Sequence, residues 1–402
     1  MKIYIVTGES FPNGMAATNR IKCYARAIKE GGVDCEVIIY KRTEVYGKPI
    51  KNKDGRGVYE GVPYQYMGGT TLRDKSLFIR QMNDRIDLWR TYRYLNKNIK
   101  RGDVLFLYMG GGGNVHLMAR LMKIAHDKGT YCVRDLCELP YGTGAETSRA
   151  IRLRKVTTEK QFPKLDGIIS ISDALLNYAK VYTSPTCTHI KVPIMVEYEQ
   201  YVIEKKQDNT KTPYIFHAGT LYQQKDGILG MIEAFGMAKQ RLQIPIRYVL
   251  TGSIETSSHP VELNNLIKKY QLEDSLEFVG YLYRDQIKAY LREAALVISN
   301  RPKSQQDYYG FSTKVGEYLA SGTPLITTKW GEAVNWLTDR ENAYIIEPED
   351  TDALANAIVH VFQNREEARQ IGIAGQKVCQ HCFDYHNWSK PLIAFFEQIG
   401  KQ

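Results

Sequence analysis

Short apolar runs alternate with amphipathic helix patterns along almost the whole chain, and this alternation constrains the fold more than any other feature. The first run, at residues 2–6, precedes a helix pattern at residues 18–29 whose apolar positions recur three and four residues apart. Strands separated by helices in this way pair in parallel through right-handed crossovers. The sequence therefore predicts an α/β protein built from doubly wound, Rossmann-like sheets.

The alternation is interrupted once, in a stretch rich in Pro, Glu and Lys at residues 192–211. A chain of 402 residues exceeds what one hydrophobic core normally supports, so two domains are expected. We predict an N-terminal domain at residues 1–195 and a C-terminal domain at residues 205–385, followed by a terminal helix within residues 386–402. Two doubly wound domains would face each other across a ligand cleft at the carboxyl ends of their strands.

Charge is distributed unevenly between the two halves of the chain. Residues 1–200 contain 32 Lys and Arg against 20 Asp and Glu, a net charge of +12, whereas the remaining residues carry −2. This asymmetry indicates an anionic partner for the first half, such as a nucleic acid, a membrane surface or a phosphorylated substrate. A solvated basic surface would give the same composition.

The helix pattern at residues 75–99 concentrates this basic character. Its apolar positions are Phe78, Met82, Ile86, Trp89 and Leu95, and its arginines include Arg80, Arg85, Arg90 and Arg93. We interpret it first as a core helix with a charged outer face, and a membrane-surface helix is the alternative. No nucleic-acid-binding motif accompanies the charge, so the sequence does not favour a nucleic-acid partner.

The most informative segment covers residues 300–324 and is typical of strand, loop, helix, turn and strand. Ser312 or Thr313 can cap the helix, which would present backbone N–H groups and the positive end of the helix dipole to an anion. Lys314 and Glu317 lie three residues apart on one face of that helix. This arrangement suits a nucleoside diphosphate, with the carboxylate accepting hydrogen bonds from the ribose. A capped surface helix with a Lys–Glu pair is the alternative.

This segment resembles the nucleotide-binding signature of the family 4 glycosyltransferases, retaining enzymes of the GT-B fold, and in particular their exopolysaccharide and lipopolysaccharide branch. The resemblance rests on N-R-P at residues 300–302 and on F-S-T-K-V-G-E-Y-L-A-S-G-T-P, which begins at Phe311. The family signature contains two glutamates eight residues apart. The second coincides with Glu317, for which the resemblance implies ribose binding. Tyr309 occupies the position of the first, which contacts the donor sugar in the family.

A second match lies at the strand-end turn F-H-A-G-T-L followed by K-D-G, which directs cations at the donor phosphates in the family. Gly219 and Lys225 retain that pattern, while Thr220 replaces an arginine. We expect Arg301 and Lys314 to supply the missing contact, because two or three cations can stabilise a leaving diphosphate without Mg²⁺. Taken alone, Lys225 would be interpreted as a solvated loop lysine.

A third match, L-E-F-V-G-Y-L at residues 276–282, implies a loop that holds the nucleotide base through the main chain of Tyr281 and Leu282. In the first half, the resemblance places Gly14 in a loop close to the donor phosphates, where a small residue lets the backbone approach. The glycines at residues 110–113 do not complete a dinucleotide-binding fingerprint, and we interpret them as a permissive turn.

Asp135 and Glu138 follow a predicted strand at the place where the family has polar residues at its reaction centre. Either is a candidate for contact with the reacting sugars, and a helix-capping role is the equal alternative. His116 is a further candidate, although a helix-surface histidine is the simpler interpretation. The C-x-x-C formed by Cys379 and Cys382 lacks a second ligand pair at a recognised spacing, so we predict no metal site.

The resemblance implies a retaining, metal-independent glycosyltransferase that needs no cofactor. Its donor would be a nucleotide-diphosphate sugar bound by the C-terminal domain, and Lys225 and Lys314 would act catalytically on the leaving diphosphate. Its acceptor would be a glycan or polyprenyl-diphosphate-linked saccharide on the N-terminal domain, in cell-surface polysaccharide biosynthesis. The terminal helix would pack back on the N-terminal domain.

Other interpretations of the sequence stay open. An inverting transferase or a nucleotide-sugar epimerase can share this fold, and a non-catalytic nucleotide-sugar-binding protein would explain the missing first glutamate. Seven cysteines without a recognisable signal peptide predict reduced thiols and a cytoplasmic protein, with peripheral attachment to the inner face of the plasma membrane as a further expectation. No run approaches the roughly 18 apolar residues of a transmembrane helix.

Overall fold

The computed structural model describes residues 1–109, 115–142, 147–202 and 212–401. The chain divides into two compact units. Unit 1 comprises Met1–Met195 and Tyr385–Gln402, and unit 2 comprises Val196–Asp384. The last segment of the chain therefore belongs to the unit that contains the N-terminus.

An eight-stranded sheet forms the centre of unit 1. Its strands are β1 (Lys2–Thr7), β2 (Asp34–Ile39), β3 (Arg56–Tyr59), β4 (Val62–Tyr66), β5 (Val104–Tyr108), β6 (Tyr131–Leu136), β7 (Gly167–Ser170) and β8 (Thr188–Lys191). They lie in the order β3-β4-β2-β1-β5-β6-β7-β8, and each neighbouring pair is parallel except β3 with β4. All five residues of β5 are buried, as expected for a central strand covered on both faces.

The helices that cover this sheet include the one predicted at residues 18–29. They are α1 (Ala16–Glu30), α2 (Leu77–Asn98), α3 (Val115–Lys128), α4 (Ser148–Val156) and α5 (Asp173–Tyr182). The apolar positions predicted for α1, including Ile21, Tyr24 and Ile28, are all buried. The ring of Tyr24 packs edge-on against Phe106 of β5, with 5.0 Å between centroids. Periodicity alone therefore identified the inward face of α1.

A short hairpin in unit 1 was not predicted. β3 pairs antiparallel with β4 inside the Gly-, Lys- and Tyr-rich residues 44–74, whose sequence predicts an irregular segment with one short strand near Tyr64–Met67. That strand corresponds to β4, whereas its partner β3 is not indicated by the sequence. The two turn residues, Glu60 and Gly61, have positive φ angles of 49° and 77°. Such angles at both central positions match the twist of a two-residue hairpin.

Helix α2 forms where it was predicted, but the interpretation of its apolar stripe as a core face was wrong for four of its five residues. Phe78 and Trp89 are 75% and 54% exposed, and Met82 and Ile86 are also exposed. Leu95 is buried as expected, and the inward face presents Asp87 and Thr91 beside it. The carboxylate of Asp87 accepts a hydrogen bond from Arg42 Nε at 3.1 Å, so a polar contact anchors this helix.

Unit 2 is built on a six-stranded sheet in which every neighbouring pair is parallel. Its strands are β9 (Tyr214–His217), β10 (Arg247–Leu250), β11 (Leu276–Phe278), β12 (Leu296–Ser299), β13 (Leu325–Thr328) and β14 (Tyr344–Ile346). They lie in the order β11-β10-β9-β12-β13-β14. The order reverses between β9 and β12, and such a switch point is where α/β sheets bind ligands.

The helices of unit 2 lie between these strands or follow the last of them. They are α6 (Gln223–Asp226), α7 (Ile228–Arg241), α8 (Pro260–Tyr270), α9 (Arg284–Glu293), α10 (Gln305–Tyr309), α11 (Thr313–Ala320), α12 (Thr351–Gln363) and α13 (Arg365–Val378). One core combines residues of β9, β10 and β12 with residues of α7, α8 and α12. The predicted doubly wound organisation is thus confirmed in both units.

The final helix, α14 (Ser389–Ile399), packs in unit 1. Phe396 lies 6.0 Å from the ring of Phe106. A Cβ atom at Gly31 would come within 2.4 Å of Ile393, so the absence of a side chain at this glycine permits the close contact between α1 and α14. Among the helices that the structure describes, none is both long and apolar enough to cross a bilayer.

Candidate functional site

A tight turn follows β9 at Gly219, one of the residues predicted to contact the donor. Its N–H donates to Thr251 Oγ1 at 2.8 Å, and that hydroxyl donates to the Gly219 carbonyl at 2.9 Å. A Cβ atom at Gly219 would lie 2.3 Å from His217 Nε2 and 2.9 Å from Lys314 Nζ. The missing side chain therefore allows the lysine of α11 to reach this turn.

Lys314 forms an ion pair with Asp226, the last residue of α6. The Asp226 side chain is 2% exposed, and it also accepts a hydrogen bond from the Thr220 N–H at 3.3 Å. His217 Nε2 lies 3.7 Å from Asp226 Oδ1. Asp226 was not among the predicted site residues, and its place in K-D-G beside Lys225 was the only signal in the sequence.

Arg301 follows β12 and approaches the same carboxylate. Its Nη1 lies 3.9 Å from Asp226 Oδ1, while its Nε donates to Asp307 Oδ1 at 2.7 Å. Ser304 Oγ donates to the other oxygen of Asp307 at 2.7 Å. Arg301 is thereby held beside Asp226 by a second acidic partner that sequence reasoning also missed.

The pKa shifts at this cluster show that its charges interact strongly. Burial lowers the pKa of Lys314, attraction to Asp226 opposes this, and Arg301 and Lys225 lower the pKa further. Burial tends to raise the pKa of Asp226, but Lys314 and His217 outweigh burial and hold the pKa below its usual range. Arg301 and Lys314 thus both approach the carboxylate of Asp226, and Lys225 precedes Asp226 in the chain.

Helix α11 begins directly beside this cluster. Ser312 occupies the N-cap position, but its side chain makes no capping hydrogen bond, so the cap predicted for Ser312 does not form. Phe311 is buried, with its ring 5.6 Å from Phe383. Arg301, Phe311 and Ser312 contribute to the lining of a cavity of about 20 Å³. The first turn of α11, which starts at Thr313, can offer N–H groups to an anion here.

Glu317 lies one turn further along α11. It is half-buried. Burial raises the pKa of Tyr201, and the negative charge of Glu317 raises that pKa further. The hydroxyl of the next residue, Tyr318, accepts a hydrogen bond from the Ala218 N–H at 2.8 Å. This bond ties α11 to the turn after β9, so Glu317 and Lys314 share one rigid support.

Tyr309 is the last residue of α10 and is half-buried. Its ring packs edge-on against Tyr308, with 5.2 Å between centroids, and Tyr308 in turn lies 5.8 Å from Trp330. At the position where the family 4 glycosyltransferases carry a glutamate, this chain thus has a tyrosine that is part of an aromatic cluster.

The predicted base-binding loop follows β11. Tyr281 is 60% exposed and packs edge-on against Tyr283, whereas Leu282 is buried. Gly252 N–H donates to the Gly280 carbonyl at 2.7 Å, and Gly280 N–H donates back at 3.2 Å. These bonds join the loop to the end of β10, next to the Gly219 turn.

In unit 1, Asp135 lies at the end of β6 but is the centre of a buried network. Arg20 Nη2 donates to it at 3.2 Å, and the Tyr24 hydroxyl and the Cys137 thiol donate to it as well. This geometry favours a structural role for Asp135 over contact with a sugar. Glu138 is half-buried two residues beyond the end of β6.

The structure does not strengthen the functional roles predicted for the other candidate site residues in unit 1. A Cβ atom at Gly14 would lie 2.0 Å from Thr18 Oγ1, so packing against its own chain already accounts for this glycine. His116 is exposed on α3. The glycines at residues 110–113 lie outside the described residues.

The first cysteine of the C-x-x-C near the end of the chain packs against α11. Cys379 is fully buried, and its thiol donates to the Gly316 carbonyl of α11 at 3.4 Å. Cys382 is half-buried, and burial raises the pKa of both thiols. Cys379 therefore packs against the helix that carries Lys314.

The sequence of this chain is similar to those of known glycosyltransferases. Residues 200–378 match the family model described as "Glycosyl transferases group 1". The MMP alpha-(1->4)-mannosyltransferase of Mycolicibacterium hassiacum is 24% identical over 60% of this chain and 55% of its own length. The amylovoran biosynthesis glycosyltransferase AmsK of Erwinia amylovora is 20% identical over 76% of this chain and 72% of its own length. The chain thus spans between about half and three quarters of these relatives.

Solved structures are similar over nearly the full chain. Sucrose-phosphate synthase from Thermosynechococcus elongatus has a TM-score of 0.74 at 15% identity and covers 99% of this chain and 98% of its own. The Anabaena protein HepE in complex with UDP has a TM-score of 0.67 at 13% identity and covers 100% and 99%. The chain therefore has the GT-B fold, and its residues 200–378 match the model of the glycosyl transferases group 1 family.

Proposed function

We propose that this chain is a glycosyltransferase that moves a sugar from a nucleotide-diphosphate donor to a saccharide or lipid-linked glycan in cell-surface polysaccharide biosynthesis. The observation that carries the proposal is the approach of Arg301 and Lys314 to Asp226 beside the Gly219 turn and the start of α11, with Lys225 next to Asp226 in the chain. Such a place attracts a diphosphate. The family match and the amylovoran-synthesising relative support this class of reaction.

In this proposal the donor diphosphate lies against the first turn of α11. Transfer breaks the bond between the anomeric carbon and a phosphate oxygen, and negative charge develops on that oxygen. Lys225, Arg301 and Lys314 stabilise this charge, so the departure of the diphosphate needs no metal ion. Glu317 accepts hydrogen bonds from the ribose hydroxyls, and main-chain groups of residues 281–282 contact the base.

We propose further that the anomeric configuration is retained. Asp226 and Asp307, the two carboxylates of the phosphate site, are both held in ion pairs, which argues against either as a nucleophile. A front-face attack fits this arrangement, because the leaving phosphate oxygen itself takes the proton of the acceptor hydroxyl. The anomeric configuration of the product, read by NMR, separates this course from that of an inverting transferase.

Nucleotide binding gives the first test. A thermal-shift screen against UDP, GDP, ADP and their sugar conjugates should raise the Tm by roughly 5 °C or more at about 100 times the Kd of a cognate ligand, because binding stabilises the native state. Release of the nucleoside diphosphate from the matching sugar conjugate then tests catalysis. Binding without release would indicate a non-catalytic nucleotide-sugar-binding protein, and no shift with any ligand would contradict the proposal.

We also propose that the outward face of α2 contacts an anionic membrane surface, where lipid-linked acceptors reside. Phe78, Met82, Ile86 and Trp89 project from that face. Arg93 lies over the Trp89 ring at 5.4 Å, so positive charge flanks the apolar stripe. An exposed helix face with large apolar and basic side chains suits the headgroup region of anionic lipids.

The double variant Phe78→Ser/Trp89→Ser should bind vesicles containing phosphatidylglycerol at least about tenfold more weakly than the unmodified protein, because two large apolar groups no longer leave water. Co-sedimentation with vesicles measures this change. Val181→Ser is the matched control, since Val181 is 74% exposed on another helix of unit 1 and should leave binding unchanged. Equal binding by the double variant would remove α2 from the proposal.

A further inference from the structure

Asp226 is held in place more firmly than a surface carboxylate would be. The next residue, Gly227, has a left-handed φ of 59°, which ends α6 and starts α7. Asn300 Nδ2 donates to the Gly227 carbonyl at 3.1 Å, and a Cβ atom at Gly227 would lie 2.5 Å from the same nitrogen. The backbone after Asp226 is therefore fixed against the end of β12.

Two cations approach this fixed carboxylate, and a third is its neighbour in the chain. Lys314 contacts it directly, Arg301 Nη1 is 3.9 Å away, and Lys225 precedes it in the chain. The Lys314 side chain is 23% exposed, so water compensates its charge only in part. A lysine in such a place, between two further cations, needs a negative neighbour to stay charged.

We propose that Asp226 is the built-in counter-ion of Lys314, a positioning residue that aims the ammonium group at the Gly219 turn and keeps it charged for the donor phosphates. This inference rests on the proposed function, because it concerns the same phosphate site. Asp226 acts through Lys314 and makes no contact of its own with the substrate.

Several charged and titratable groups face this ion pair. They are Arg301, Lys225 and His217 beside the pair, Tyr248 and Tyr318 near Asp226, Asp307 behind Arg301, and Glu317 on the same helix as Lys314. Within the described part of the chain, Asp226 is the carboxylate in direct contact with Lys314. Loss of Asp226 would leave the positive charges of Arg301 and Lys225 as the dominant electrostatic influence on Lys314.

The direction of the pH effect follows from these contacts. Lys314 binds a diphosphate in its charged form, so affinity falls as the pH rises through the pKa of Lys314. That pKa already lies below its usual value with Asp226 present. Neutralising Asp226 lowers it further, and the loss of affinity then begins at a lower pH. Below that point, the variant carries one more net positive charge and should bind a diphosphate at least as tightly.

The test measures UDP affinity by calorimetry from about pH 7.5, where the phosphates are fully ionised, to about pH 10. In Asp226→Asn, the midpoint of the alkaline loss should fall by at least about one pH unit relative to the unmodified protein. The titration of UDP itself is common to all measurements, so the difference between proteins reports on the site. A merely structural role would lower affinity equally at every pH.

Glu347→Gln is the matched control. It removes a carboxylate that pairs with Lys329 at the surface of unit 2, where the two side chains are 65% and 66% exposed, so the midpoint should not move. An unchanged midpoint in folded Asp226→Asn would overturn the inference while leaving the proposed function intact. Failure of the unmodified protein to bind UDP, GDP or ADP would remove both.

A second variant keeps the test decisive if Asp226→Asn does not fold. Lys314→Met should reduce the alkaline loss of affinity, because one of the two lysine ammonium groups proposed to bind the diphosphate is gone. An alkaline loss that persists unchanged in Lys314→Met would show that another group titrates, and it would overturn the assignment.

Discussion

Lys314→Ala is expected to reduce sugar transfer by about 10²- to 10³-fold, the usual cost of removing one preorganised group that stabilises developing charge. The ammonium group stands at the Gly219 turn beside Asp226, where the leaving diphosphate would lie. Because its stabilising effect grows as charge builds on the leaving oxygen, the loss should appear mainly in kcat. Steady-state release of the nucleoside diphosphate measures it.

The controls for this variant separate chemistry from folding. Lys314→Ala leaves the buried Asp226 without its closest partner, so some stability should be lost, and Lys314→Ala/Asp226→Asn should recover it without recovering activity. Lys329→Ala removes a lysine that is 66% exposed and pairs with Glu347 at the surface, and it should leave the rate unchanged. Near-normal turnover by Lys314→Ala would contradict the proposed phosphate site.

Arg20→Ala is expected to lower the free energy of unfolding by about 3–5 kcal/mol, because it leaves a buried carboxylate without its cation. The Arg20 and Asp135 side chains are 3% and 2% exposed. Arg20 also donates to the Val192 carbonyl at 2.9 Å, so its loss frees the segment that follows β8. Denaturant unfolding followed by fluorescence measures the change.

Lys29→Ala is the comparison for this variant. Lys29 lies on the same helix and pairs with Asp34 at 3.2 Å, but the two side chains are 45% and 78% exposed. Water screens such a pair, so we expect a loss below about 1 kcal/mol. Equal losses of stability in the two variants would contradict the expectation that Arg20→Ala leaves Asp135 as an unpaired buried charge.

The alternation of strands and helices was predictable from the sequence because it depends on local periodicity. Parallel strands buried on both faces appear as continuous apolar runs, and β9 and β5 are of this kind. The same local information placed the start of α11 and put Lys314 and Glu317 on one helix. The hairpin of β3 and β4 escaped prediction, since its strands are short and half-polar.

Helix α2 shows that the spacing of apolar residues does not by itself predict which face of a helix is buried. Its stripe from Phe78 to Trp89 has the spacing of a core face, yet the helix turns Asp87 and Thr91 inward. The choice depends on Arg42, which is 45 residues away from Asp87 in the chain and supplies the contact that anchors the helix. An apolar stripe indicates a buried face only when some partner covers it.

The amino-acid order alone determined that this protein is an α/β chain with two largely parallel sheets and that its second half has a helix carrying Lys314 and Glu317, because these features depend on neighbours within a few turns. Only the tertiary structure decided which charges meet. Asp226 and Lys314 are 88 residues apart, and Arg20 and Asp135 are 115 apart. No local pattern encodes such partners, since it is the packing of distant strand ends that brings them together and removes them from water.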